Sequence, residues 1–359
     1  MTRHMFSGGN TPDGFVSFFG SILSEAETSG TVYLKGPSGS GKSTFIKKAG
    51  AHFEAAGYDT EYFHCSNDAE SLDGLRVRGL EIGVVDGTAP HVCDPVLPCA
   101  ADGIVNLGCC IDGGIGDFKN ELLSLNGEKK RYYEKAYNYL KAAHDIRLND
   151  RIIYGGSLNV RKLNRTTLEI CKKLKWKEQS KQGRNRRLFA SSITPGGLKN
   201  FLGTLFGAER VYVLKGEDGT GTETMLSDIL RAANQRGFDT ECFFCPGNPG
   251  KLEHLAIPRV DVCFTTENKY HTYKPKKSNM QEIDFGDFHD SGIINGNSGE
   301  ILYNGGVFDE LLKKAMGTMK LARAAHDGIE EIYSKYMDFG KLDAIYGETV
   351  ARLEGAAYG

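Results

Sequence analysis

The stretch Gly36-Pro-Ser-Gly-Ser-Gly-Lys-Ser-Thr44 (GPSGSGKST) is the part of the sequence around which the fold is organised. It fits the pattern G-x-x-x-x-G-K-[ST]. Glycines let the backbone turn so that its N–H groups point inward, where they can cradle phosphate oxygens. We expect Lys42 to reach the β- and γ-phosphates of a nucleotide and the Ser43 hydroxyl to ligate Mg²⁺.

The segments on either side of this stretch support the same interpretation. Residues 31–35 (TVYLK) form a short β-prone run that enters the loop directly, and residues 43–56 have apolar side chains near helical spacing, with Gly57 as a helix stop. Strand, loop and helix in this order are typical of a P-loop, the phosphate-binding loop of P-loop NTPases. The predicted nucleotide-binding residues are Gly36, Pro37, Ser38, Gly39, Ser40, Gly41, Lys42, Ser43 and Thr44.

Length and composition indicate an ordinary globular protein of two domains. The chain has 359 residues, 40% hydrophobic and 25% charged, with a net charge of −2. That charge does not favour a chain that binds nucleic acid or an acidic membrane over its whole surface. No apolar stretch is long enough for a bilayer, and the first residues lack an apolar signal-peptide core, so we expect a cytoplasmic protein without membrane contact.

The sequence repeats itself. A shift of 180 residues places Gly36 on Gly216, Gly41 on Gly221 and residues 57–61 (GYDTE) on residues 237–241 (GFDTE). A shift of 182 places AAHD at 142–145 on AAHD at 324–327. The repeat predicts two P-loop NTPase-like α/β domains in tandem, over residues 1–160 and 186–359, joined by a basic linker at 161–185. Each is expected to contain a mostly parallel sheet with flanking helices.

Several elements of the first repeat can be predicted individually. Apolar residues from Phe15 to Leu23 favour an opening amphipathic helix, and those from Leu198 to Phe206 favour the same helix in the second repeat. Strands are expected at 59–65 and 80–86, with a helix near 68–76 between them. Residues 119–154 predict a long charged helix or helix pair.

The second loop, residues 216–224 (GEDGTGTET), lacks the residues that would bind phosphate and metal. Thr222 stands in the place of Lys42, and Glu223 stands in the place of Ser43. Glu217 and Asp218 add negative charge. We therefore predict a folded loop that does not bind Mg-ATP; the rival interpretation is a site for a cationic or unphosphorylated ligand.

Two acidic residues beyond the loop are candidates for metal binding and catalysis. Asp86 ends an apolar run, as the aspartate of a Walker B motif does, and would hold Mg²⁺ together with Ser43; the alternative is a turn-initiating residue before Gly87. Asp94 is a candidate for orienting an attacking water or a substrate hydroxyl. The predicted catalytic residues are thus Lys42, Asp86 and Asp94.

Residues 155–187 are the one strongly basic stretch, with eleven lysines and arginines against two glutamates. Three interpretations remain open: a solvated linker helix, a contact for nucleic acid or another polyanion, or a lid that brings an arginine to the γ-phosphate.

The chain resembles a family of uncharacterised bacterial tandem P-loop ATPases over nearly its full length. The shared marks are the loop at 36–44 and the segments 10–15 (NTPDGF), 86–91 (DGTAPH) and 188–195 (LFASSITP). The resemblance implies a nucleotide-binding fold and a nucleotide ligand, and it supplies no substrate.

Three functions are compatible with these features. The first is an ATPase, in which Lys42 and the loop amides stabilise charge on the transferring phosphoryl group and hydrolysis drives a change between the two domains. The second is a small-molecule or nucleotide kinase whose acceptor binds to residues 91–116. The third is a nucleotide-switched binding module without turnover. ATP is favoured over GTP because the first repeat has no Asn-Lys-x-Asp motif.

Overall fold

Two six-stranded mixed β-sheets form the frame of the protein in the computed structural model. The structure describes residues 1–23, 28–174, 176–177, 180, 182–273 and 280–358. The sheets belong to two similar α/β halves of the chain.

The elements of the first half run in the order β1 (Arg3–Met5), β2 (Gly8–Thr11), β3 (Gly14–Ser17), β4 (Gly30–Lys35), α1 (Lys42–Ala55), β5 (Asp59–His64), β6 (Leu72–Arg78), β7 (Ile82–Asp86), β8 (Asp102–Asn106), α2 (Lys119–Ser157) and α3 (Val160–Lys173). Those of the second half are β9 (Asn185–Leu188), β10 (Ser191–Thr194), β11 (Gly197–Asn200), α4 (Leu202–Leu205), β12 (Arg210–Lys215), α5 (Thr222–Gln235), β13 (Thr240–Cys245), β14 (Asn248–Ile257), β15 (Val262–Glu267), β16 (Met280–Asp284), α6 (Ser291–Gly296), α7 (Ser298–Ser334) and α8 (Phe339–Tyr358).

The two sheets have the same topology. The first has the strand order β1-β5-β6-β7-β4-β8, and the second has the order β9-β13-β14-β15-β12-β16 when it is followed from the corresponding edge. The strand that enters each loop lies next to the edge strand and is parallel to both neighbours: β4 pairs with β7 and β8, and β12 pairs with β15 and β16. The predicted strands at 31–35, 59–65 and 80–86 and the helix at 43–56 are confirmed.

The prediction of a mostly parallel sheet is correct only in part. A helix was expected near 68–76, but residues 72–78 form β6, which runs antiparallel to β5 and β7. Its sequence is mixed: Leu72 and Leu75 are spaced as in a helix, whereas residues 75–78 (LRVR) alternate apolar and charged side chains as a strand does. Gly74 allows close packing, because a Cβ there would lie 2.9 Å from the Ile22 side chain.

The predicted opening helix is also wrong. Residues 8–17 form the hairpin β2–β3, and only a 3₁₀ turn follows at Phe19–Ser21. The hairpin turn contains Gly14 at φ +91°, a conformation that favours glycine, and the Thr11 hydroxyl donates to the Gly14 carbonyl at 2.8 Å. In the second half, the corresponding residues form the hairpin β10–β11 and the short helix α4.

The sheets face each other, and the helices that cover their outer faces are exchanged between the halves. The inner faces share one apolar cluster, which includes Phe63 from β5 and Phe243 from β13. The outer face of the first sheet is covered by α1 and by α8, through Leu342 and Leu353. The outer face of the second sheet is covered by α5 and by α3. Each half thus receives a helix that follows the long helix of the other half.

The long helices α2 and α7 pack against each other in antiparallel orientation. Leu122, early in α2, packs on residues late in α7, whereas Asp150, late in α2, accepts a 2.8 Å hydrogen bond from Asn304, early in α7. The predicted long helix at 119–154 is therefore one uninterrupted helix of 39 residues. The repeated AAHD segments lie on this pair, where Ala143 and Ala325 are buried.

A cluster of buried charges, which we call the central ion cluster, joins the halves. It consists of Arg3 and Glu61 from the first half and of Arg186 and Glu241 from the second. Arg3 donates to Glu61 at 2.7 Å and to Glu241 at 2.5 and 2.9 Å. Arg186 lies 2.7 Å from Glu61 and 3.2 Å from Glu241. Glu61 and Glu241 are 180 residues apart, as the loops are, and Arg3 on β1 and Arg186 on β9 are their respective partners in strand register, so the cluster has approximate two-fold symmetry.

Candidate functional site

The loop at residues 36–44 connects strand β4, which lies between β7 and β8, to helix α1. Gly39 and Gly41 have φ angles of +78° and +82°, which place this turn in the left-handed region that favours glycine. Helix α1 begins at Lys42 and has no side-chain cap at its N-terminus. Its first N–H groups therefore have no side-chain acceptor, the arrangement in which a helix N-terminus binds phosphate.

The Lys42 ammonium is folded back onto the loop. Its Nζ donates to the carbonyls of Gly36 and Pro37, both at 2.8 Å, and lies 3.7 Å from Asp86 Oδ2. The side chain is only 10% exposed. The structure thus brings together two of the three predicted catalytic residues, Lys42 and Asp86, across the loop.

Ser43 and Asp86 also have oxygens that could ligate a hard cation. Ser43 Oγ accepts a hydrogen bond from the Leu72 N–H at 2.9 Å, which fixes the hydroxyl at the side of β6. Asp86 Oδ1 accepts from the Thr88 N–H at 2.9 Å, and Oδ2 faces Lys42. Carboxylate and hydroxyl oxygens are the ligand types that Mg²⁺ prefers, so these residues fit the ion.

Asp73, on β6, belongs to the same site, and sequence analysis missed it. Ligand atoms of Asp73, Asp86 and His91 lie within 4.8 Å of one another. Burial raises the pKa of Asp73 to about 6, against the opposing effect of His91, whose Nε2 lies 3.7 Å from the carboxylate. The residue stands in the run predicted to be a helix, and recognising β6 as a strand beside β7 would have placed it next to Asp86.

His91 is held from two sides. Its Nδ1 lies 3.0 Å from the Asp86 carbonyl, and its ring stacks on Phe19 at 4.3 Å between centroids. Both contacts orient the ring so that Nε2 points to Asp73. The second half has a histidine, His271, at the equivalent position. Its presence there agrees with a packing role for His91.

The loop is covered by helices from the other half. A Cβ at Gly39 would lie 2.6 Å from the Glu330 carbonyl of α7, and one at Gly41 would lie 2.8 Å from the Leu342 side chain of α8. The arginine on this part of α7 is Arg323, which pairs with Asp68 at 3.2 Å and with Asp327 at 2.5 Å. Because these contacts are so close, a shift of the loop towards α7 or α8 would displace these helices.

Asp94 lies elsewhere. It is 70% exposed and pairs with Lys35 at 2.8 Å, and the same Nζ donates to the carbonyls of Gly87 and Cys93. Among the described residues, the structure records no contact of Asp94 with Lys42. Its assignment as a water-orienting residue stays a prediction.

The second loop keeps the shape of the first and has a different charge pattern. Gly219 and Gly221 have φ angles of +88° and +98°, and α5 begins at Thr222. The acidic residues of this loop are paired with cations of the protein itself. Arg151 of α2 lies 3.1 Å from Asp218 and 3.6 Å from Glu223.

Two more cations complete this pairing. Arg147 of α2 lies 3.5 Å from Glu217, and Lys251 of β14, which is 3% exposed, lies 2.9 Å from Asp218. Although burial opposes the effect, Lys251 and Arg151 hold the pKa of Asp218 well below its usual range. The acidic substitutions therefore bind α2 to the second half.

The basic stretch divides into a packed part and an exposed part. Leu163 and Ile170 of α3 are buried against the second half, and Arg186 belongs to the central ion cluster. Arg161, Arg165, Lys172 and Lys173 are exposed. Lys175, Glu178 and Lys181 lie outside the described residues.

Comparisons of the chain with protein-family models, with curated proteins and with solved structures found no match in any of the three. None of the helices in the described part of the chain is long and apolar enough to cross a lipid bilayer. Only the geometry of the site therefore indicates what the protein binds.

Proposed function

We propose that the protein binds Mg-ATP at the loop of residues 36–44 and hydrolyses it, and that each half is a P-loop NTPase-like domain derived from one duplicated unit. The observation that supports this most directly is the position of Lys42, between the loop carbonyls and Asp86 at the uncapped start of α1. A cation held there faces the place where a helix N-terminus and loop amides bind phosphate.

Each residue of the site has a role in this proposal. The loop amides and Lys42 bind and orient the phosphates and offset the charge that develops as the phosphoryl group is transferred. Ser43 and Asp86 hold Mg²⁺, which when bound neutralises phosphate charge. Asp73, with its raised pKa, holds a proton near His91 at mildly acidic pH.

The two helices that contact the loop favour an ATPase whose hydrolysis is coupled to movement over a kinase. The contacts of Gly39 with Glu330 and of Gly41 with Leu342 come from helices of the other half. A change of the loop on phosphate release would therefore move α7 and α8. The kinase alternative has no comparable support, since residues 91–116 contribute the edge strand β8 and its connections.

Calorimetric titration with Mg-ATP tests the proposal. We expect one site per chain in the natural protein and at least a ~10-fold loss of affinity in Lys42→Ala, because hydrogen bonds from a charged group contribute about 1.5–3 kcal/mol. Lys47→Ala is the matched control, since Lys47 is an exposed lysine of the same helix. Two sites per chain would contradict the inactive second loop, and no site in folded protein would contradict the proposal.

Turnover is measured separately from binding. Steady ADP release without an added acceptor supports an ATPase. Release only with an acceptor supports the kinase, and tight binding without release supports a nucleotide-switched module.

The exposed face of α3 supports a second, weaker assignment: contact with nucleic acid or another polyanion through Arg161, Arg165, Lys172 and Lys173. Binding of single-stranded DNA or heparin that weakens steeply with salt, and is lost when these residues become glutamine, would support it. We also assign the protein to the cytoplasm, a reducing compartment that suits its nine free cysteines.

A further inference from the structure

A second group of metal-binding side chains lies buried in the second half. Glu253 and His254 are neighbours on β14, and His271 follows β15. Their ligand atoms lie within 4.8 Å of one another, and the three residues are 2%, 0% and 8% exposed. In the repeat, His271 stands 180 residues after His91.

Two of these side chains have a buried atom without a partner. Glu253 Oε2 and His254 Nε2 make no hydrogen bond within the described part of the chain, and the two atoms lie 3.6 Å apart. The cation on the same strand, Lys251, is bound to Asp218 at 2.9 Å. Buried polar atoms are normally paired, so these two atoms indicate a missing ligand between them.

The two histidines are oriented by the residues around them. His271 Nε2 lies 2.8 Å from the Thr266 carbonyl and donates its proton there, which leaves the lone pair on Nδ1 free for a metal. His254 Nδ1 lies 2.9 Å from Thr265 Oγ1 and 3.2 Å from the Thr266 N–H. The Thr266 N–H donates to Nδ1, so the proton of the metal-free His254 ring is on Nε2. Metal binding at Nε2 moves the proton to Nδ1, where Thr265 Oγ1 accepts it, and the ring must turn away from the Thr266 N–H, whose hydrogen bond is lost.

We propose that Glu253, His254 and His271 bind one Zn²⁺ ion, with its fourth position facing a neighbouring cavity of about 90 Å³. Two imidazoles and a carboxylate are a ligand set that zinc accepts in four-coordinate sites with one open position. Zinc–ligand distances of about 2.0–2.2 Å require the donor atoms to approach within roughly 3.4 Å of each other. The donor atoms farthest apart must therefore close by up to about 1.4 Å.

The first half has an equivalent group of side chains, and its composition favours a different kind of metal ion. Asp73 corresponds to Glu253 and His91 to His271, so an acid and a histidine occupy the same two places in both halves. The first half has Gly74 where the second has His254. The first half also supplies the Asp86 carboxylate, so its ligands favour a hard cation, whereas a second imidazole favours zinc.

The cavity beside the proposed ion has polar groups that could meet a further ligand. It is lined by side chains of both halves, among them His144 and Arg147 from α2, and Lys251 and Tyr270. A zinc-bound water or an anionic ligand in the fourth position would face these groups.

Titration of chelator-treated full-length protein with Co²⁺ tests the proposal, because Co²⁺ in a four-coordinate site gives visible absorption bands and Zn²⁺ should displace it. We expect one equivalent of Co²⁺, with affinity lowered at least about tenfold in Glu253→Gln and in His271→Gln. His144→Gln is the matched control, since His144 lines the cavity without belonging to the cluster. Circular dichroism establishes that each variant is folded; if one variant does not fold, the other decides.

Two results would overturn the proposal. One is folded protein that gives no visible Co²⁺ bands. The other is a band that persists in both variants or that disappears in His91→Gln, which would place the metal elsewhere. Lys42→Ala should leave Co²⁺ binding unchanged, so the proposed nucleotide site and the proposed zinc site can fail independently.

Discussion

Replacing Glu61 by glutamine removes one of the two negative charges of the central ion cluster and tests whether that cluster holds the halves together. Glu61 is 1% exposed and lies 2.7 Å from both Arg3 and Arg186. Glutamine keeps the size of the side chain but leaves two buried guanidiniums to share Glu241. The variant therefore isolates the loss of charge from the loss of volume.

The expected cost is large for a single substitution. Removing one partner of a buried ion pair destabilises a protein by about 3–5 kcal/mol, because the remaining charge has lost its compensation. An unfolding entropy of about 2.1 cal/mol/K per residue over 359 residues converts this cost into a drop in melting temperature of about 4–7 °C. Glu282→Gln is the control, since Glu282 forms an exposed pair with Lys215 and such pairs contribute about 0–1 kcal/mol.

Urea unfolding followed by two signals is the assay. The single tryptophan, Trp176, packs against the second half, and its indole N–H donates to the Cys171 carbonyl at 2.7 Å. Its fluorescence therefore reports on the half that does not contain Glu61, whereas circular dichroism reports on both. We expect the substitution to shift both transitions together. A change below about 1 kcal/mol, or an unchanged fluorescence transition, would refute the argument that this cluster couples the halves.

Two further predictions concern Glu241 and Gly39. The arginines of the central ion cluster lower the pKa of Glu241 to about 2 despite its burial. The stability that they contribute is therefore complete above the ordinary glutamate pKa of about 4.3 and is lost as pH falls towards 2. Melting temperatures between pH 5 and 2 should show this loss, and a flat profile would contradict it. Gly39→Ala should weaken Mg-ATP binding about 5- to 30-fold, because a left-handed φ costs alanine about 1–2 kcal/mol and its Cβ meets the Glu330 carbonyl, so the loop must leave its binding conformation to relieve the strain. Gly116→Ala, with open space around it, should not weaken binding, and equal affinities of the two variants in calorimetry would count against the assignment.

Local pattern was sufficient to predict the elements around the loop. The run from β4 through residues 36–44 into α1 follows from glycine spacing, a β-prone run and helical periodicity, all of which act over a few residues. The similarity of the halves was likewise visible as a repeat in the sequence. Lys42 and Asp86 meet as expected because the carboxyl ends of the parallel strands β4 and β7 lie at the same edge of the sheet.

The features that were missed depend on contacts far apart in the chain. Strand β6 combines a helix-like spacing of Leu72 and Leu75 with the strand-like alternation of residues 75–78, so its sequence does not separate a strand from a helix, and Asp73 was overlooked with it. The exchange of α3 and α8 cannot be inferred from their amphipathic patterns, which predict an apolar face without its partner. The central ion cluster requires the relative position of residues 3, 61, 186 and 241, which no local pattern supplies.

Each loop is contacted by helices of the other half, but the contacts differ in kind. The second loop is bound to α2 by charge, through Arg147 and Arg151. The first loop meets α7 through the backbone contact of Gly39 with Glu330, and it meets α8 through an apolar side chain.

The same two helices connect the loops. Helix α7, which has 37 residues, meets the first loop at Glu330 and bonds to Asp150 of α2 through Asn304 near its other end. Helix α2 in turn carries the arginines that pair with the second loop. Under the proposed function, a displacement at the phosphate site would therefore act on a helix whose far end is bound to an electrostatically fixed partner. In that arrangement the acidic second loop would serve as an anchor, a role that uses its glycine turn and does not need the lysine and serine of a nucleotide site.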